Sequence, residues 1–222
     1  MAIKTAVVRE ARAPLSRELV LRAAIDLADA GGIDSLSIRK LAQKVGLKPM
    51  SLYHYVAGKD DILHGILDLV VREFQPADPA GEWQAAIRQS AISAHAVLLR
   101  HPWACALMMS PGAVSAARLG YMESLLGRLR QAGFSAEATD HAYHALDSHI
   151  IGFTLWHTGY STALRADPQL SAASFEELLV GHPYLTEHAR QHERKRQPGE
   201  PTDYEFGLDL ILNGLEAMLV TA

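Results

Sequence analysis

LSIRKLAQKVGLKPMSLYHYVAGK, residues 36–59, carries two short amphipathic segments separated by a glycine. Ser37 stands as an N-cap, Ile38, Leu41, Ala42 and Val45 recur along one face, and Gly46 suits the left-handed conformation that closes a helix. Leu47 resumes the apolar pattern, Pro49 fits a first helical turn, and Leu52 and Val56 continue one face until Ala57 and Gly58 end it. Two short helices joined by about three residues centred on a glycine are the sequence form of a helix-turn-helix. Upstream, Ser16 caps a helix in which Val20, Ala23, Ala24 and Leu27 share a face, and Gly31-Gly32 stops it. Downstream, Asp60 and Asp61 favour the positive end of a fourth helix that starts near Lys59 and carries Ile62, Leu63, Ile66, Leu67, Val70 and Phe74. The stretch PADPAG, residues 76–81, breaks this pattern and marks a domain boundary.

The charge follows the same division. Up to Lys59 there are ten Lys and Arg against five Asp and Glu, and after it 11 against 20. A basic head on an acidic body is compatible with an anion-binding module or with chance clustering on solvated faces. At 222 residues with 49% hydrophobic and 21% charged side chains, the chain can bury a core and is not of disordered composition. No apolar run approaches the ~18 residues of a membrane span, and MAIKTAVVREARAP at the start lacks the pattern of a secretory signal. The single cysteine, Cys105, excludes an intrachain disulfide and a cysteine-built metal site, so the expected location is cytoplasmic.

Beyond the break the periodicity is helical and no alternating strand pattern stands out, so the fold class is all-α. Helices are expected over 82–99, 102–109, 113–131, 136–164, 175–182, 185–194 and 204–219, with RKRQPGEPTD as an exposed, mobile loop. His141 with His144, and His188 with His192, have spacings that can bind transition metals. Without a cysteine partner they read as exposed or pocket-rim histidines, and neither a metal nor another cofactor is expected. A His-dependent metal enzyme is the catalytic alternative. No serine elbow, phosphate-cradling glycine loop or paired carboxylate supports it.

The RKLAQKVG run, the SLYHYV-x-x-K ending and the apolar spacing between them resemble the DNA-binding segment of TetR-type transcriptional regulators. EWQ near residue 83, QAGFS near residue 133 and YEFGLDLILNGLE from Tyr204 are similar to the tetracycline-repressor subclass of that family. The resemblance implies a three-helix DNA-binding domain over residues 1–60 and a helical ligand-binding and dimerisation domain over 61–222. A helix of about ten residues fits the major groove, and the one beginning at Lys48 offers Lys48, Met50, Ser51, Tyr53, His54 and Tyr55 while Leu52 and Val56 hold it to the core. Met50 suits a thymine methyl; Ser51, Tyr53 and His54 suit bases or phosphates. Ser37 heads a helix whose amides attract phosphate, and the family places a contact at Arg39 and a phosphate contact at Lys59. Tyr53 and Tyr55 as core-edge aromatics, with the charges a solvated face, is the alternative. Lys4, Arg9, Arg12 and Arg17 form either an arm along the DNA or a frayed terminus.

For the body the resemblance implies a homodimer built by the last helix and the long one over 136–164. Leu208, Ile211, Leu215 and Met218 share a face of the last helix, with Gly207 and Gly214 allowing close approach. A two-fold dimer calls for a pseudo-palindromic double-stranded operator. Trp103, Met108, Met122, Leu125, Tyr143, His144, Asp147 and Trp156 are the candidate lining of an effector pocket, although the apolar ones also read as plain core. The subclass's metal-binding histidine aligns with Met108 and its water-linked glutamate falls near Trp156, a poor set for a hard magnesium ion. The implied effector is therefore an apolar or aromatic small molecule, oriented by Asp147 and His144. The reading is a ligand-responsive regulator, in its commonest form a repressor; a non-switching architectural DNA-binding protein is the competing class.

Overall fold

The computed structural model describes residues 15–110, 115–166, 179–193, 197 and 199–220. Among them are ten α-helices and no strand. The helices are α1 (Arg17–Gly31), α2 (Ile38–Val45), α3 (Pro49–Leu52), α4 (Lys59–Val71), α5 (Trp83–Arg100), α6 (Trp103–Met108), α7 (Ala116–Gln131), α8 (Ala136–Ala166), α9 (Pro183–Glu193) and α10 (Asp203–Val220), with a single 3-10 turn at Ile33–Ser35. None of the described helices is long and apolar enough to cross a membrane. The chain divides into two compact units, Met1–Ile66 and Leu67–Ala222, with the division falling inside α4.

In the first unit local chemistry sets the helix ends. The Ser16 hydroxyl accepts the Leu19 N–H at 3.2 Å and the Ser37 hydroxyl accepts that of Lys40 at 3.3 Å, each satisfying an amide that the helix leaves without a partner. Gly46 closes α2 at φ 75°, ψ 28°, a left-handed conformation that costs any residue with a β-carbon, and donates to the Ala42 and Gln43 carbonyls. The unit's core is Val20, Leu21, Ala24, Ala28, Leu36, Leu41, Leu52, Val56, Ile62 and Ile66. Arg17 belongs to neither arm nor frayed end: it is in the first turn of α1 and its guanidinium lies 2.6 Å from Asp61. Lys4, Arg9 and Arg12 lie outside the described residues.

The expected ten-residue reading helix is shorter. The extended backbone of Lys48, imposed by the proline that follows it, starts α3 at Pro49, and regular helix ends at Leu52. From there the chain tightens into turns, with Tyr55 N–H donating to the Leu52 carbonyl at 2.9 Å and His54 N–H to that of Ser51 at 3.4 Å.

In the second unit α5, α7, α8 and α10 pack on one another around Ile87, Ala91, Ala94, Leu98, Leu125, Leu129, Leu146, Ile150 and Leu208. Arg88 of α5 ties down α10 by donating to Asp209 at 2.7 Å and Glu205 at 3.2 Å, and the Tyr204 hydroxyl donates to the Ala91 carbonyl at 2.8 Å. The helix expected over 175–182 lies outside the described residues up to 178, and 179–181 form a turn. Most of the first half of the RKRQPGEPTD loop is likewise outside them. The apolar face expected on α10 is divided: Leu208 and Leu215 are buried together with Leu212, while Met218 is exposed along with Phe206 and Leu210. That helix is apolar on two faces, which a single-face pattern does not describe.

Candidate DNA-binding face and effector site

Within the first unit, Leu52 and Val56 are buried and pin the α3 segment, so the residues between and around them face outward. Met50 is 78% exposed and Tyr53 49%. Lys48, His54 and Lys59 are exposed, and Ser51 and Tyr55 are half-buried. Ser37, which caps α2, and Arg39, in its first turn, are exposed as well.

The ion pairs sort the basic residues of this unit. Arg17 pairs with Asp61, Arg22 with Glu18 at 2.7 Å and Lys44 with Asp26 at 3.1 Å. Arg39, Lys40, Lys48 and Lys59 make no such pair among the described residues, and all four are exposed: Arg39 and Lys40 in the first turn of α2, Lys48 just before α3 and Lys59 at the start of α4. Cations that stabilise the fold are thus separate from cations available to an anionic partner. Lys40 was not among the sequence candidates. Its signal is its place beside Arg39 in the first turn after Ser37, which reads from sequence only as one charge among several. The Asp61 carboxylate is held below its usual range by the Ala57 N–H it accepts at 2.9 Å, and by Arg17, so it stays ionised as the anchor of the α4 start.

In the second unit Trp103, Met108, Leu125 and Tyr143 are buried, whereas Met122 and Asp147 are half-buried. The inward stripe of α7 is Tyr121, Leu125 and Leu129, which places Met122 one step off it. His144 and Trp156 do not join the buried group. His144 is 3.5 Å from Asp140 on the outside of α8, and Trp156, 51% exposed, packs on Phe153 with ring centroids 5.6 Å apart. Thirteen positions separate Trp156 from Tyr143, more than half a turn round the helix, so the two face different ways.

Polar groups accompany the buried side chains. Burial pushes the Asp147 carboxyl above its usual range against the opposing pull of Arg118 and His144. Burial, and then Asp147, push the Tyr143 phenol up to about 12. Arg118 also donates to the Met108 carbonyl at the end of α6. The Tyr121 hydroxyl is buried beside that of Ser90 without a well-formed hydrogen bond among the described residues, a cost of up to about 1–3 kcal/mol. Tyr121 escaped sequence reasoning because a tyrosine on an apolar stripe looks like core. No group of three His, Cys, Asp or Glu side chains able to hold a metal occurs among the described residues.

Against known proteins, the model for bacterial regulatory proteins of the tetR family matches residues 20–66, and that for the tetracyclin repressor-like C-terminal domain matches residues 75–219. The chain belongs to the TetR family of transcriptional regulators. The tetracycline repressor protein class D of Escherichia coli is 30% identical over 210 residues, covering 93% of this chain and 88% of that one. The transcriptional repressor DrrR1 of Streptomyces coeruleorubidus is 34% identical over 149 residues, which take in 65% of this chain but only 55% of the relative. Among solved structures, the regulator SCO7222 of Streptomyces coelicolor superposes with a TM-score of 0.70 at 27% identity, over 92% of this chain and 99% of that one. This TetR-family regulator is thus an all-helical, helix-turn-helix protein whose class works by binding DNA and not by catalysis.

Proposed function

We propose that the chain is a repressor that binds a pseudo-palindromic operator as a homodimer and leaves it when a small apolar or aromatic effector enters the body. Residues 1–60 bind DNA, residues 61–222 bind effector and partner subunit, and the protein acts in the cytoplasm. The observation that carries this reading is in the helix-turn-helix and the start of α4, where Arg39, Lys40, Lys48 and Lys59 are exposed without ion pairs among the described residues and Met50 and Tyr53 are exposed as well. Backbone contacts there come from Ser37, Lys40 and Lys59, and base contacts from Arg39, Met50, Ser51 and Tyr53, with Lys48, His54 and Tyr55 at the margin. Repression is favoured because relatives are named as repressors. Homodimerisation is supported by the second apolar face of α10, where Phe206 and Leu210 are exposed, together with exposed Leu155 and Trp156 on α8.

Buried Trp103, Met108, Leu125 and Tyr143 favour a ring system as effector, with Asp147, Arg118 and Tyr121 as the polar contacts that orient it. Met108 at the aligned histidine position argues against a tetracycline–magnesium complex. The test is a mobility shift with the DNA flanking the protein's own gene. A specific complex of two subunits per palindrome, with a steep salt dependence, is expected; affinity no greater than for random duplex overturns the reading. A library of aromatic small molecules that neither releases DNA nor shifts the melting temperature overturns the effector part.

A further inference from the structure

Where α5, α8 and α10 meet, a set of rings is left unused by the DNA and effector readings. His95 of α5 lies face to face on Tyr204 of α10, with centroids 3.8 Å and planes 9° apart, and His149 of α8 stacks on the same tyrosine at 4.8 Å and 19°. Phe153 packs against all three at 5.6–5.8 Å. The approach depends on Gly207, where a β-carbon would come within 2.6 Å of the His149 ring.

The hydrogen bonds decide which ring nitrogens carry protons. The Thr154 hydroxyl has one proton and gives it to the Ile150 carbonyl at 2.6 Å, so toward His95 Nδ1, 2.7 Å away, it can only accept. His95 therefore carries its proton on Nδ1, and in the neutral ring Nε2 is bare. His149 Nε2 meets the Tyr204 carbonyl at 2.9 Å, which is an acceptor only, so its proton is on Nε2.

A second proton on His95 must go to Nε2, for which the described residues supply no hydrogen-bond acceptor. The groups that face the ring are His149 and His157 of α8 and Tyr204 of α10, and none is a carboxylate. On α5 itself Arg88 lies two turns away, and it engages Glu205 and Asp209 of α10. α6 and α7, which also pack on α5, carry Cys105, pushed up to about 11 by burial, and Tyr121, pushed up for the same reason; both stay neutral. Burial first, then His157 and His149, bring His95 down to about 4.

We propose that this ring stack is an acid-sensitive fastening that holds α10 on α5 and α8 and loosens when the surroundings turn mildly acidic. It stands independently of the DNA-binding face. Weaker subunit pairing in acid is a consequence only if α10 also forms the dimer contact proposed above. The sign follows from the protonation states: a ring that is harder to protonate when stacked favours the stacked form above its ordinary value of 6.5, and that advantage is lost as the pH falls from there toward about 4.

Amide exchange of residues 203–212 in the full chain tests it. After correction for the intrinsic pH effect, opening is expected to rise about thirtyfold between about pH 7.5 and pH 5 in the native protein. His95→Phe keeps a ring on Tyr204 and leaves Thr154 bonded to Ile150, and it is expected to abolish most of that rise. Nitrogen chemical shifts of the native imidazole, which need no variant, are expected to show the Nδ1–H tautomer and titration well below the ordinary value. Exchange that is flat with pH, a full acid response in His95→Phe, or ordinary titration of His95 would each overturn the fastening. Sedimentation at both pH values tests the pairing separately: a single subunit throughout defeats the homodimer and leaves the exchange result to judge the stack.

Discussion

In the first unit the groups assigned a role stand outside a small apolar core, whereas in the second several polar atoms are enclosed by the core. Met50, Tyr53 and four cations without ion pairs are exposed on α2, α3 and the start of α4, while Arg17 and Lys44 are spent on joining α1 to α4 and α2, and Arg22 pairs within α1. In the body the Tyr121 hydroxyl, the Asp147 carboxyl and the His95 ring are wholly or partly removed from water, and their preferred protonation states shift or their hydrogen bonds go unmade. A surface that awaits a polyanion stabilises nothing by itself, so it keeps its charges hydrated. An interior that encloses polar groups without full hydrogen bonding carries a destabilising cost.

The contrast can be broken most severely at Leu52, which is fully buried beneath the reading segment. Leu52→Ala is expected to cost the first unit about 2–5 kcal/mol and to abolish operator binding, while thermal unfolding of the body changes little. A body transition that shifts equally would erase the distinction between the two units. Tyr53→Ala leaves the core intact, so a loss of about 1–3 kcal/mol in operator affinity with an unchanged sedimentation coefficient is expected; full affinity would return Tyr53 to the role of a packing aromatic.

A smaller effect is expected at Lys59. Its replacement by alanine should weaken binding to specific and random DNA alike, by about tenfold, and reduce the slope of log affinity against log salt by about one. Specific binding that falls alone would make it a base-reading residue. The finest test lies in the body: Tyr121→Phe removes a buried hydroxyl that lacks a well-formed hydrogen bond among the described residues and is expected to raise stability by about 1 kcal/mol, measured by denaturant titration. A loss of stability would mean the hydroxyl is bonded in solution and that the interior is not held in a costly state.

The helix caps, the helix-turn-helix and the outward residues of the reading segment were legible in the sequence. Each depends on residues three or four apart, as with Ser37 and Lys40 or Leu52 and Val56, and helical periodicity alone sets which way they point. The same reasoning lengthened α3 beyond Leu52, because a turn that tightens without glycine leaves the apolar spacing unaltered. It also could not divide the cations, since Arg17 meets Asp61 across 44 positions.

In the body, helical periodicity located the long elements but not the chemistry between them. Trp156 shares a helix with Tyr143 and Asp147 yet faces another way, His144 packs edge-on to Tyr143 but stays exposed, and Tyr121 replaces Met122 on the inner face of α7. The protonation of His95 follows from Thr154, 59 positions on, and that of His149 from the Tyr204 carbonyl, 55 positions on. Local sequence determined where helices start and which stripe is apolar, because those are properties of a single turn. Which polar atoms are enclosed, and with what partners, was decided only when three helices closed around them, because desolvation and hydrogen-bond geometry belong to the packed interior and not to any one segment.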